Sequence, residues 1–110
     1  NIHYAYLEAG ADIIETNSFG ASPIGMSEFD LPLELVREIN FAAVDCARKA
    51  VDRIEKQQPG RRCFVAGSIG PTTKQLAISV KVEDAANRDV TYMEMVDSYK
   101  AQVAALVEAG

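Results

Sequence analysis

Apolar positions follow two periods along the chain, one helical and one strand-like, and they alternate. Ile2 to Glu8 reads as the last turns of a helix, with Gly10 as the residue that leaves it in a left-handed conformation. Ala11 to Thr16 then reads as a strand, because Ile13-Ile14 is β-branched and too short for an independent helix. A loop is expected from Asn17 to about Phe29, punctuated by Gly20, Pro23 and Gly25. Asp30 is the expected cap of the next helix, with Pro32 in its first turn. Val36, Ile39, Ala43, Cys46, Ala47, Ala50 and Ile54 form its apolar stripe, and it ends before Gln58-Pro59-Gly60. Cys63 to Ser68 supplies a second short buried strand, followed by the turn Gly70-Pro71-Thr72-Thr73. Lys74 to Val90 has no secure period and is read as a long loop holding at most a turn of helix. Thr91 and Glu94 make a capping-box pattern, with Val90 and Met95 as a hydrophobic staple. Met93, Val96, Tyr99, Val103 and Leu106 are the expected apolar stripe of that last helix.

Alternating helices and strands call for an α/β fold with a parallel sheet and right-handed crossovers. Both strands are followed by long polar loops, whereas the turns entering them are short. That asymmetry suits a barrel that works at the C-terminal ends of its strands, although a doubly wound sheet satisfies the periodicity equally. Leu7-Glu8-Ala9-Gly10 nearly recurs as Val107-Glu108-Ala109-Gly110, so the chain stops at the threshold of a further strand. With Asn rather than Met at position 1, residues 1–110 are read as a piece of one larger domain.

Composition adds exclusions. The 110 residues are 48% hydrophobic and 25% charged, as in globular proteins. A formal net charge of -5 disfavours nonspecific attraction to nucleic acid or anionic membrane. Arg48, Lys49, Arg53, Lys56, Arg61 and Arg62 are interleaved with acids, and Asp45/Lys49 and Asp52/Lys56 have the i,i+4 spacing of a solvated helix face. No apolar run is long enough for a membrane span and no signal peptide opens the chain, so a cytoplasmic protein is expected. Cys46 and Cys63 read as free buried thiols, Cys46 against the sheet and Cys63 at the strand start, away from the expected site. Together with His3 they do not make a zinc site, which takes three or four protein ligands.

The chemistry is expected at the strand ends. Alternation sends Glu15 and Asn17 to one face, and Thr16 and Ser18 to the other. These groups suit the amino and carboxylate ends of a small zwitterion, or equally serve only to bond the loop backbone. In Gly67-Ser68-Ile69-Gly70-Pro71-Thr72 the glycines permit close approach of a ligand, or merely make the turn. No local motif marks a nucleophile, a general base or a metal site.

Several separated segments in one order carry a resemblance: 5–19, Glu38-Ile39-Asn40-Phe41-Ala42-Ala43, Val65-Ala66-Gly67-Ser68-Ile69-Gly70-Pro71-Thr72, Arg88-Asp89-Val90-Thr91-Tyr92 and 105–110. Over its whole length the chain resembles the homocysteine-binding domain of cobalamin-dependent methionine synthases, of the homocysteine S-methyltransferase family. The resemblance implies a partial (β/α)8 TIM barrel, covering about strands 2 and 3 and the helix leading to strand 4. It implies a parent methyltransferase of methionine biosynthesis in which zinc, held by three cysteines further along the chain, activates homocysteine. The methyl group then arrives from methylcobalamin on a cobalamin-carrying domain, with methyltetrahydrofolate on a folate-binding domain as its source. Residues carried over to the pocket wall are Thr16, Asn17 and Ser18, with Gly70, Pro71 and Thr72. Neither cysteine present inherits a zinc-binding role, and the piece alone is expected to be inactive. Ser18 stands where the family commonly has Thr; Ile78-Ser79-Val80 replaces a Ser-Pro pair, and Ala85 an expected Pro. The alternatives are a cobalamin-independent homocysteine S-methyltransferase using S-methylmethionine or betaine, and a noncatalytic α/β ligand-binding module.

Overall fold

The computed structural model describes residues 2–72 and 91–110. The Lys74–Val90 loop and the Val90 side of the staple lie outside the described residues. The elements are α1 (Ile2–Glu8), β1 (Ile13–Glu15), α2 (Pro23–Ser27), α3 (Leu35–Gln57), β2 (Phe64–Ala66) and α4 (Tyr92–Ala109). β1 and β2 pair in parallel, with Ile13 opposite Phe64, Ile14 opposite Val65 and Glu15 opposite Ala66. The long α3 makes the crossover between them, so the α/β order is the expected one.

Helix exits follow local chemistry. Gly10 has φ +112°, its N–H donates to the Leu7 carbonyl at 3.1 Å, and Ala11 N–H reaches back to Tyr6 at 3.1 Å. That pair of bonds is a Schellman ending, and at φ +112° glycine adopts it without the strain a Cβ would bring. Gly110 repeats the exit, with φ +110° and its N–H on Val107, so the sequence recurrence is also a structural one. Arg61 secures the α1–β1 turn by donating to the Leu7 and Ala11 carbonyls at 2.8 and 2.7 Å.

The core lies between α1, α3 and one face of the sheet. Leu7 and Ile54 are fully enclosed there with Ala47 and Ala50, whose small side chains let the helices approach, and with Tyr4, Ile14, Val51 and Cys63. Enclosing Leu7 or Ile54 is worth about 1.5–3 kcal/mol each. Tyr4 is tied down further: its hydroxyl bonds Gln57 and the Arg53 guanidinium stacks 3.8 Å from its ring centroid.

Five expectations change. The 17–29 loop contains α2, capped by Ser22 Oγ accepting from Gly25 N–H at 3.1 Å, with Pro23 at the first helical position. Asp30 does not cap α3; at φ +54° it makes the left-handed exit from α2, and Glu34 precedes α3 without a side-chain cap. Pro32 accordingly falls before the helix rather than in its first turn. The predicted α3 stripe is buried at Val36, Ala43, Ala47, Ala50 and Ile54, but the buried arc extends to Asn40, Val44 and Val51 on one side and leaves Cys46 exposed on the other. In α4 the shift is about 110° at 100° per residue: Ser98, Gln102, Ala105 and Leu106 are buried, while Met93 and Val103 are 60% and 42% exposed.

The expected Thr91–Glu94 capping box is formed in both directions, at 3.1 and 2.9 Å. Asp45 and Lys49 pair at 2.7 Å on the solvated face of α3, and the carboxylate holds the ammonium above the usual lysine range by hydrogen bonding and charge. Other cations of that stretch are structural: Arg37 pairs with Glu108, and Arg48 donates to the Gly110 carbonyl at 2.9 and 2.5 Å, joining α3 to α4.

The second face of the sheet is open. Register partners Ile13 and Phe64 are 61% and 56% exposed, against 5% for Ile14, so the sheet is covered on one face.

Candidate functional site

Alternation continues past the end of β1. Thr16 and Ser18 are buried on the helix side of the sheet, while Glu15 and Asn17 are exposed with Ile13 on the other. The buried pair bridges the two strand ends. Thr16 N–H donates to the Ala66 carbonyl at 2.9 Å, Ser68 N–H donates to Thr16 Oγ1 at 2.9 Å, and Ser18 Oγ donates to the Ser68 carbonyl at 2.8 Å. The two hydroxyls lie 2.6 Å apart. With its hydrogen on the Ser68 carbonyl, Ser18 Oγ accepts from Thr16 Oγ1, so both hydroxyls are satisfied.

Thr16 and Ser18 therefore set the relative position of the loops, and Asn17 stands between them at the surface. The second loop comes close as well. The Phe19 ring lies against Gly70, where a Cβ would meet ring carbons at 2.6 Å, so only glycine admits this contact. Gly70 is buried and its carbonyl accepts from Tyr99 OH at 2.8 Å; Pro71 is exposed and Thr72 half-buried. All six expected pocket residues thus belong to two loops that meet at one end of the sheet.

A concavity of about 1020 Å³ opens beside β1. Its rim carries Glu15, Asn17 and Ser68, and its wall is apolar, with Ile13, Ile39 and Cys46 among the lining. A second, of about 330 Å³, lies beside β2 against Leu106 and Val103. The larger has room for more than a small amino acid, so a ligand seated at the rim leaves the apolar wall uncovered.

Zinc does not fit what is present. Among the described residues no three His, Cys, Asp or Glu side chains converge. Cys63 is buried at the entry to β2, opposite the strand ends, and its N–H donates to Glu55 Oε1 at 3.0 Å; Cys46 is exposed on α3. The described helices include none long and apolar enough to cross a membrane.

Sequence reasoning missed the residues that hold the loops from behind. Asn40 Nδ2 donates to the Ala21 and Val36 carbonyls at 2.8 and 2.7 Å, Gln102 Nε2 to Ser18 O at 2.6 Å, and Ser98 Oγ accepts from Ile24 N–H at 3.1 Å. Their signal was present: Ser98 and Gln102 have the i,i+4 spacing of one helix face, but polarity counted against that face.

Parallel strands joined by a helical crossover, with polar loops meeting at their C-terminal ends, define a partial α/β unit of the kind whose ligand sites lie at strand ends. Comparison with known proteins narrows the class. The model of the homocysteine S-methyltransferase family matches residues 1–110, and the chain belongs to that family. It is also similar to two solved structures of the homocysteine methyltransferase MmuM from Escherichia coli. The metallated form is 27% identical with a TM-score of 0.77, and the oxidized form 25% identical with a TM-score of 0.73. The matches cover 99% of this chain in both cases, but only 38% and 37% of the two MmuM chains.

Proposed function

We propose that this chain forms two adjacent strands and the flanking helices of a (β/α)8 barrel in a homocysteine methyltransferase, where its strand-end loops make one wall of the homocysteine pocket. The observation that carries this reading is the Thr16–Ser18–Ser68 bridge, which brings both loops to one edge and leaves Asn17 and Glu15 at the surface. On a barrel the open face with Ile13 and Phe64 becomes interior, covered by the remaining strands, and the apolar concavity beside β1 receives a neighbouring element. Burying those two side chains would contribute about 1.5–3 kcal/mol each.

In this reading the chain binds and orients substrate. Glu15 pairs with the α-ammonium of homocysteine, while the Asn17 amide receives its carboxylate and the 70–72 turn walls the pocket beside it. The described residues offer no converging set of metal ligands, so activation of the sulfur is assigned to residues outside them. Resemblance at Glu15-Thr16-Asn17 and at 88–91 favours methylcobalamin as the donor, replenished from methyltetrahydrofolate by partner domains. S-methylmethionine and betaine are the competing donors.

The test is methionine formation by the complete protein from homocysteine with each donor in turn. Turnover that requires cobalamin and methyltetrahydrofolate supports the reading. Turnover with S-methylmethionine or betaine in the absence of cobalamin overturns the donor assignment, and no turnover with any donor overturns the enzyme assignment.

A further inference from the structure

One helix holds both site loops. On α4, Gln102 donates to the Ser18 carbonyl at 2.6 Å, Ser98 Oγ accepts from Ile24 N–H at 3.1 Å, and Tyr99 donates to the Gly70 carbonyl at 2.8 Å. Gln102 is fully buried, and its Oε1 has no hydrogen-bond partner among the described residues. Asn40 on α3 shows the same signature, since Nδ2 donates to the Ala21 carbonyl while the buried Oδ1 has no partner among the described residues. The 17–22 loop is therefore gripped from two helices by enclosed amides, each with an orphan oxygen.

An unsatisfied buried acceptor costs stability, and methionine has similar length without that acceptor. Methionine at position 102 would strand the Ser18 carbonyl but remove the orphan Oε1, so the two costs offset and folding alone does not favour glutamine there. What it supplies is a donor to Ser18, between Asn17 and Phe19, in the loop that carries the candidate pocket wall.

We propose that Gln102 is a positioning residue for the amino-acid site: by holding the Ser18 carbonyl it keeps the 17–22 loop in the conformation that binds homocysteine. This deepens the homocysteine reading and rests on it. Asn40 holds the far end of the same loop, and the substrate is touched by the loop rather than by either amide.

The experiment uses the complete protein with Gln102→Met and Gln102→Glu. Gln102→Met should raise KM for homocysteine about ten-fold, the equivalent of one lost hydrogen bond. Its kcat, its KM for the methyl donor and its melting temperature should stay close to wild type. In Gln102→Glu a protonated carboxyl can donate to Ser18 and an ionised one cannot, so KM relative to wild type should fall as pH is lowered. Hydrogen exchange at the Ala21 and Ile24 amides should quicken about ten-fold in Gln102→Met, with the middle of α3 unchanged. A lowered melting temperature with unchanged KM, equal losses for both substrates, or unaltered exchange at 21 and 24 overturns the proposal. Exchange needs no substrate, so it tests the hold on the loop even if wild type fails to methylate homocysteine, a failure that sinks the functional reading instead.

Discussion

Thr16→Val removes one oxygen from the bridge between the strand ends and almost nothing else, because valine has the same shape and Thr16 is 3% exposed. The lost Oγ1 accepts from Ser68 N–H and bonds Ser18 Oγ. Stranding a part-buried N–H costs about 1–3 kcal/mol, and loss of the hydroxyl pair adds about 1 kcal/mol. Ser18 keeps its bond to the Ser68 carbonyl, and the new methyl returns about 0.8 kcal/mol. The net expectation is a loss of about 2 kcal/mol. Thr16→Ser is the control: it keeps the hydroxyl and gives up one buried methyl, for a loss of about 1 kcal/mol. Urea unfolding of the complete protein reads both as midpoint shifts at unchanged slope. The bridge is refuted if Thr16→Val lies within about 0.5 kcal/mol of wild type, half the value of an ordinary hydrogen bond. It is equally refuted if the serine variant is the less stable of the two.

Two glycines separate a yielding neighbour from an unyielding one. In Gly25→Ala the new Cβ meets the Gly20 carbonyl oxygen at 2.5 Å, so a loss of about 1–3 kcal/mol is expected in the same unfolding assay. In Gly70→Ala it meets the Phe19 ring, which is 59% exposed and able to swing aside, so the expected change is a displaced ring, visible in a crystal structure, with little loss of stability. Arg61→Lys cannot span the Leu7 and Ala11 carbonyls in one planar fork and should lower stability by about 1–2 kcal/mol in urea titrations. The 110 residues alone should show neither methyltransferase turnover nor a cooperative melting transition, because β1 and β2 pair only with each other among the described residues and one sheet face is open.

Where local chemistry decides, the fold was readable from sequence. Gly10 announced a left-handed exit, Thr91 and Glu94 a capping box, and the two apolar runs a parallel pair. The start of α2 at Ser22-Pro23 went unread, because Gly20, Pro23 and Gly25 were taken as loop punctuation. What failed were the face of α4 and the Cys46 flank of α3. The α4 stripe was assigned by hydrophobicity, yet the helix buries Ser98 and Gln102 because loop backbone groups need their hydrogen bonds. Cys46 failed in the same way, by one row of α3. At the site, Thr16 and Ser18 were chosen for their hydroxyls, and the structure uses those hydroxyls to join the loops. Asn17, Pro71 and the exposed Glu15 remain the groups open to a ligand from outside.

The central claim is that these two strand ends form a wall of a homocysteine pocket in a closed barrel. A crystal structure of the complete protein with homocysteine tests it most directly. The account predicts strands paired to the free edges of both β1 and β2, with the ligand's amino or carboxylate group hydrogen-bonded within the 15–18 or 70–72 segments. Homocysteine bound away from both segments, or a sheet that does not continue past β1 and β2, would contradict it.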